Sequence, residues 1–168
     1  MKTIFDSRGN FYPPEKAKLD FGQFKEWFVD DFDAASSRKA IFEEYNRFLA
    51  DFRQLVTSSF EQWINGSFVS NKANPGDIDF VTLIDHQTFR RHEAIIEKQF
   101  TLWGAMRNYK NLDAYTIKLF PEGHREYILT HSDLLYWQDW FGHTKLNRAK
   151  RSFPKGYVEI QFDENTII

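Results

Sequence analysis

The sequence predicts an α/β (α+β) fold, a mixed sheet packed with helices and preceded by an N-terminal helical extension. Three observations predict it. Short β-rich segments at 60–65, 77–84, 112–120 and 157–162 are bounded by turn residues. Before and between them, apolar residues recur every three or four positions, the spacing of a helix with one buried face. The chain has 168 residues, 42% hydrophobic and 18% aromatic with 18 Phe, which favours one domain and argues against disorder.

The elements follow in order. Residues 1–20 read as an irregular, ordered lead-in, with a turn at Arg8-Gly9-Asn10 and Pro13-Pro14 blocking regular hydrogen bonding. Asp20 caps a short helix whose apolar face is Phe21, Phe24, Trp27 and Phe28. Ser36 and Ser37 start a longer one, with Ile41, Tyr45, Phe48, Phe52 and Leu55 as a core-facing stripe. Arg38, Lys39, Glu43, Glu44 and Arg47 fall on its other faces. This lead-in and its helices, residues 1–58, are expected to pack on the rest of a single domain spanning 1–168. Phe60 to Asn65 reads as a strand ending at Gly66, and Asn71 to Gly76 as a polar loop. Asp77 to Ile84 suits a central strand covered on both faces. His86 to Phe100 reads as a helix, with Phe89, Ile95, Ile96 and Phe100 inward. Leu112 to Phe120 alternates like a strand, and Glu126 to Leu129 reads as another short one. Ser132 caps a helix to Phe141, and a basic loop leads to a last strand, Tyr157 to Phe162.

The formal net charge is −2, so any nucleic-acid contact requires a local patch rather than a global field. With no cysteine, a disulfide scaffold, a thiolate metal site and a Cys nucleophile are excluded. The first residues lack the apolar run of a signal peptide, and no window approaches a membrane span. A cytoplasmic location and no membrane contact are therefore expected.

The chemistry concentrates in Trp63 to Ile84, WINGSFVSNKANPGDIDFVTLI. On a strand, i and i+2 share a face, so Asp77 and Asp79 aim two carboxylates at one point while Ile78 turns away. Hard oxygen ligands of this kind suit Mg²⁺. Beside an apolar strand, an uncompensated acid pair is costly, which favours a bound cation. Gly66 permits a close backbone approach, and Ser67 adds a hydroxyl and an N–H to a nest of donors that a phosphate could occupy.

Gly66-Ser67 followed by Asp77-Ile78-Asp79 resembles the signature of the DNA polymerase β-like nucleotidyltransferase superfamily. Further segments narrow the resemblance: Tyr12-Pro13-Pro14, Trp63 to Phe68, Pro75 to Asp79, Tyr136 to Gly142, and Pro154-Lys155-Gly156. In this order they are similar to a family of small bacterial nucleotidyltransferase-like proteins, DUF6932, across most of the chain. The superfamily resemblance implies a third acid from a later strand, best matched by Asp113, and two metal ions, Mg²⁺ or Mn²⁺, on an NTP. It implies transfer of a nucleoside monophosphate to an acceptor hydroxyl of RNA, protein or a small molecule. Gly66, Ser67 and Lys72 would then steady the phosphates. The sequence departs from the pattern after Ser67: Phe68-Val69-Ser70-Asn71-Lys72 stands where an Arg or a further Gly is common, with Lys72 able to serve as a point charge. That departure motivates the alternative of an inactive binding protein on the same fold, paired with a protein partner as an antitoxin or defence component would be.

Other residues read more plainly. Glu159 is the understudy to Asp113. Asp31-Phe32-Asp33 repeats the Asp-x-Asp spelling at a helix end and reads as solvated. The five histidines lack tight ligand spacing, so no zinc site is expected, and His143 reads as a surface residue. Lys145, Arg148, Lys150, Arg151 and Lys155 read as a solvated loop, with a phosphate or RNA contact as the alternative. Tyr136, Trp137, Trp140 and Phe141 read as core, with base stacking as the alternative.

Overall fold

The computed structural model describes residues 4–168; the first three residues of the lead-in lie outside the described residues. Five strands form one mixed sheet: β1 (Lys16–Lys18), β2 (Phe60–Asn65), β3 (Ile78–Asp85), β4 (Leu112–Leu119) and β5 (Tyr157–Phe162). Their order is β1-β5-β2-β3-β4. β1 runs parallel to β5 and β3 parallel to β4, while β2 is antiparallel to both its neighbours. The lead-in therefore supplies an edge strand, which the sequence reading left irregular. Three residues with alternating exposure are too short a pattern to announce a strand.

Helices α1 (Phe21–Lys25), α2 (Arg38–Leu55), α3 (His86–Ile95) and α4 (Leu102–Asn108) contribute to the larger core on one face. Asp20 caps α1 through a reciprocal capping box with Gln23, and a π-helical turn, Glu26–Asp30, extends it to bury Phe28. The stripe on α2 is buried as its spacing predicts at Ile41, Tyr45, Phe48 and Phe52, while Leu55 is exposed. Phe48 meets Phe80 of β3 edge to face at 4.9 Å and Phe100 at 5.3 Å. A polar chain crosses this core with its partners in place: the Tyr45 hydroxyl donates to Gln62 Oε1, whose amide donates to Thr82 Oγ1 at 2.8 Å. A second π-helical turn, Ile96–Phe100, separates α3 from α4, a helix that the sequence reading did not separate from its surroundings.

The opposite face carries a smaller cluster of Trp63, Val81, Leu83, Ile117 and Tyr157, covered by Trp137 and Phe141 of α5 (Tyr127–Phe141). This helix corrects the reading of Glu126 to Leu129 as a strand and of Ser132 as its first cap. Tyr127-Ile128-Leu129 is an apolar run too short for its period to separate strand from helix. A tertiary contact decides it. Thr130 Oγ1 accepts from the Phe120 N–H at 2.7 Å and donates to the Lys118 carbonyl at 3.1 Å, stitching the first turn of α5 to the end of β4. Among the described residues, no helix is long and apolar enough to cross a membrane.

Candidate functional site

The alternation of β2, β3 and β4 puts one row of polar residues on the α5 face. Asn65 of β2 pairs in register with Asp79 of β3, and Asp79 pairs with Asp113 of β4. Asp77 immediately precedes β3, because the strand begins at Ile78, whose N–H donates to the Asn111 carbonyl at 3.0 Å. Asp77, Asp79 and Asp113 are brought together: the charge of Asp77 acts on both of the others.

Their surroundings disfavour ionisation. Burial, then the charges of Asp77 and Asp113, push the Asp79 carboxyl from its ordinary 3.8 up to about 6, against the pull of Lys145 and Lys155. Burial, then Asp77, also raises Asp113, with Lys145 opposing. Lys155 shows the reciprocal cost. Burial draws its ammonium down from 10.5 to about 8, even though Asp79 favours its charged form. For both members of this pair, desolvation outweighs attraction.

Gly66 explains how Asp79 fits. It closes β2 with φ of +77°, and a Cβ there would stand 1.7 Å from Asp79 Oδ2. The carboxylate lies over the glycine, so only a residue without a side chain allows the bend and the acid together. Residues 66–68 form a turn rather than a helix, and Phe68 and Val69 are buried. Ser67 lies on that turn, and its carbonyl accepts from Ser70 Oγ at 2.6 Å.

The segment that follows is organised by Arg38, which the sequence places on a face of α2 other than its apolar stripe. It is fully buried. Its guanidinium donates to the carbonyls of Phe28 at 2.8 Å, Phe68 at 2.6 Å, Ser70 at 2.7 Å and Lys72 at 2.7 Å. It also lies 3.7 Å from the ring centroid of Phe32 and 5.0 Å from that of Phe68. Burial lowers its pKa to about 10. Ser36 and Ser37 extend the clamp. Their hydroxyls donate to the carbonyls of Ala73 and Pro75, and the Ser37 N–H donates to Asn74 Oδ1 at 3.0 Å. The connection from Gly66 to Asp77 is thus fastened to the start of α2. Lys72 is held by its carbonyl and lines the cleft.

That cleft has a volume of about 730 Å³. Gly66, Ser67, Lys72, Asp77 and Asp79 line it, together with Trp140, His143, Lys145 and Lys155. Asp113 stands beside Asp79 but does not line the cleft. Lys145 and Lys155 line the cleft, where the sequence favours a solvated loop for their run and offers a phosphate or RNA contact as the alternative. Their signal was the basic stretch itself. What the stretch lacked was the return of Lys155 to the acids, which the pairing of His143 with Pro154 produces. His143, read as a surface residue, lines the cleft with its Nδ1 near the Asp139 carbonyl. Asn65 is a site residue that the sequence reading missed. Its amide donates to the Phe141 carbonyl at 2.6 Å, while its buried Oδ1 has no partner. Glu159 is engaged elsewhere, ion-paired with Lys16. Asp31 and Asp33 are exposed, away from the cleft.

The donor set offers oxygens only, the chemistry of a hard divalent cation. Mutual repulsion of the carboxylates also fits one. Among the described residues, however, no three His, Asp or Glu side chains close into a ready-made cage. The site thus defines a mixed α/β protein with an acidic floor, a glycine-serine bend and a lysine-bearing wall. The chain belongs to the Family of unknown function (DUF6932), whose profile matches residues 3–161. No curated protein and no solved structure matches it.

Proposed function

We propose that this protein is a nucleotidyltransferase that moves a nucleoside monophosphate from an NTP to an acceptor hydroxyl. The observation that carries the reading is the row of Asp79 and Asp113 on adjacent strands, with Asp77 beside them and Asp79 resting on Gly66. The resemblance to the DNA polymerase β-like superfamily supports it. Asp77, Asp79 and Asp113 would hold Mg²⁺ or Mn²⁺. When bound, such ions neutralise phosphate charge and stabilise the attacking and leaving oxygens.

The chain's own residues account for the rest. The acceptor oxygen bonds to the α-phosphorus, the bond from that phosphorus to the pyrophosphate oxygen breaks, and pyrophosphate leaves with the electron pair. Asp113 takes the acceptor's proton. Ser67 and Lys72 steady the phosphates from the bend, and Lys145 and Lys155, which also line the cleft, add positive charge. The acceptor belongs to RNA, a protein or a small molecule. The decisive assay incubates labelled NTPs, Mg²⁺ and cell lysate with the wild type and with an Asp77→Asn/Asp79→Asn double variant. Label transferred by the first and lost in the second, with the variant still folded, supports the reading. No transfer, and no thermal shift with any NTP and Mg²⁺, defeats it.

A second reading has its own observation. Lys145 and Lys155 already oppose the charge of Asp79, and the segment after Ser67 is a turn locked by Arg38. An inactive binding protein on this fold, holding a protein partner, would need nothing more. It would keep that partner in the double variant, whereas an enzyme would lose its function.

A further inference from the structure

Helix α5 is apolar on more sides than it can bury. Trp137 and Phe141 pack on the sheet, but Tyr136 and Trp140 remain 57% and 54% exposed. Their rings stack nearly parallel, with centroids 6.2 Å apart at 11°. Leaving two large rings in water forgoes the burial that drives the rest of the fold, and their shared orientation presents flat faces rather than an irregular patch. Trp140 also forms part of the wall of the acidic cleft.

An ordered basic hairpin follows. His143 bridges Pro154, the Thr144 N–H donates to the Phe153 carbonyl at 2.9 Å, and the Asn147 N–H donates to the Arg151 carbonyl at 3.0 Å. Asn147 Oδ1 accepts from the N–H groups of Ala149 and Arg151, closing the tip. Lys145, Arg148, Lys150 and Arg151 are exposed on it, and the segment 144–152 holds no acid. In a chain of net charge −2, this is a concentrated local cation patch. Planar rings for stacking, beside cations spaced along an ordered loop, match a polymer of phosphates with unpaired bases. A duplex hides its base faces and has no use for the rings.

We propose that the Tyr136/Trp140 pair and the 145–151 hairpin bind single-stranded nucleic acid, with bases continuing the ring stack and phosphates on the cations. The strand end then lies at the cleft. That its terminal hydroxyl is the acceptor rests on the nucleotidyl-transfer reading, whereas the binding itself does not.

Anisotropy of labelled oligomers of about 12 nucleotides, as RNA, DNA and duplex, without NTP or Mg²⁺, tests this. Single strands should bind more tightly than duplex, and Trp140→Ala should weaken them about tenfold, with Trp140→Phe restoring most of the loss. Arg148→Ala with Arg151→Ala should flatten the salt dependence by about one unit of slope. Tighter binding of RNA identifies the 2′-hydroxyl as read, and equal binding of both strands supports the shared chemistry. If neither single strand binds, as when a protein occupies the hairpin instead, the inference is overturned. Duplex binding as tight as single-strand binding and unmoved by Trp140→Ala overturns it equally. Binding without any transfer leaves this inference standing and defeats the proposed function; transfer to another acceptor without binding does the reverse.

Discussion

On the α1–α4 face of the sheet, Tyr45, Phe48, Phe52, Phe80 and Phe100 are fully buried and the Tyr45–Gln62–Thr82 chain is bonded throughout. On the α5 face, the same strands carry Asp79 and Asp113 side by side and leave Asn65 Oδ1 without a partner. The first face is mostly apolar and closely packed, with Asn46 Oδ1 its unpartnered exception on α2, whereas the second gathers several acids within a few residues. The difference teaches where stability and chemistry are separated. One sheet turns its even and odd residues to two tasks, and the well-packed face supplies the free energy that lets the other hold repelling acids in place.

The contrast can be broken most severely by Phe48→Ala. It removes a side chain that touches Phe52, Phe80, Phe100 and Tyr109, and should cost about 4 kcal/mol in urea unfolding. Arg38→Met comes next. It strips the donors from the carbonyls of Phe28, Phe68, Ser70 and Lys72 and should cost about 3 kcal/mol, with faster proteolysis at 68–76. Gly66→Ala should cost about 2 kcal/mol, because the φ of +77° and the approach to Asp79 Oδ2 both resist a Cβ. A crystal structure of that variant should show the Asp79 carboxylate displaced.

The smallest effect has the opposite sign. Asp79→Asn should stabilise the fold by about 1 kcal/mol at neutral pH while abolishing the proposed transfer. The folded Asp79 carboxyl keeps its proton up to about pH 6, whereas an unfolded one loses it near 3.8. Between those values the folded state binds more protons, so this group's contribution to stability falls as pH rises through the window. Thermal melts from pH 4 to pH 7 should show that decline in the wild type and a flatter profile in the variant. A variant less stable than wild type at pH 7 would mean that Lys155 and Lys145 outweigh burial.

Legibility in the sequence divides along the same line. Phe60–Asn65 and Tyr157–Phe162 carry strong local patterns and form the strands expected, as does the stripe on α2. Asp77 and Asp79 were legible because their spacing and the glycine nearby are local, whereas Asp113 followed only from the resemblance. Arg38 was not, since its carbonyl partners lie 30 or more residues away around Phe68 to Lys72 as well as at nearby Phe28. A long basic side chain among polar neighbours gives no local sign that it is inside. The approach of Lys155 to Asp79 escaped for the same reason: only the closure of the 143–154 hairpin produces it. Glu126 to Leu129 misled because a tertiary bond from Thr130, and not periodicity, fixes the start of α5.

The guanidinium hub at Arg38 also bears on how ligands are chosen. Because folding itself sets the outline of residues 68–72, an arriving molecule meets a finished contour and loses little freedom in fitting it. On the proposed nucleotidyl-transfer reading, selectivity at the cleft would be inherited from the beginning of a distant helix, and substitutions around Ser36, Ser37 and Arg38 should retune it without touching the cleft lining.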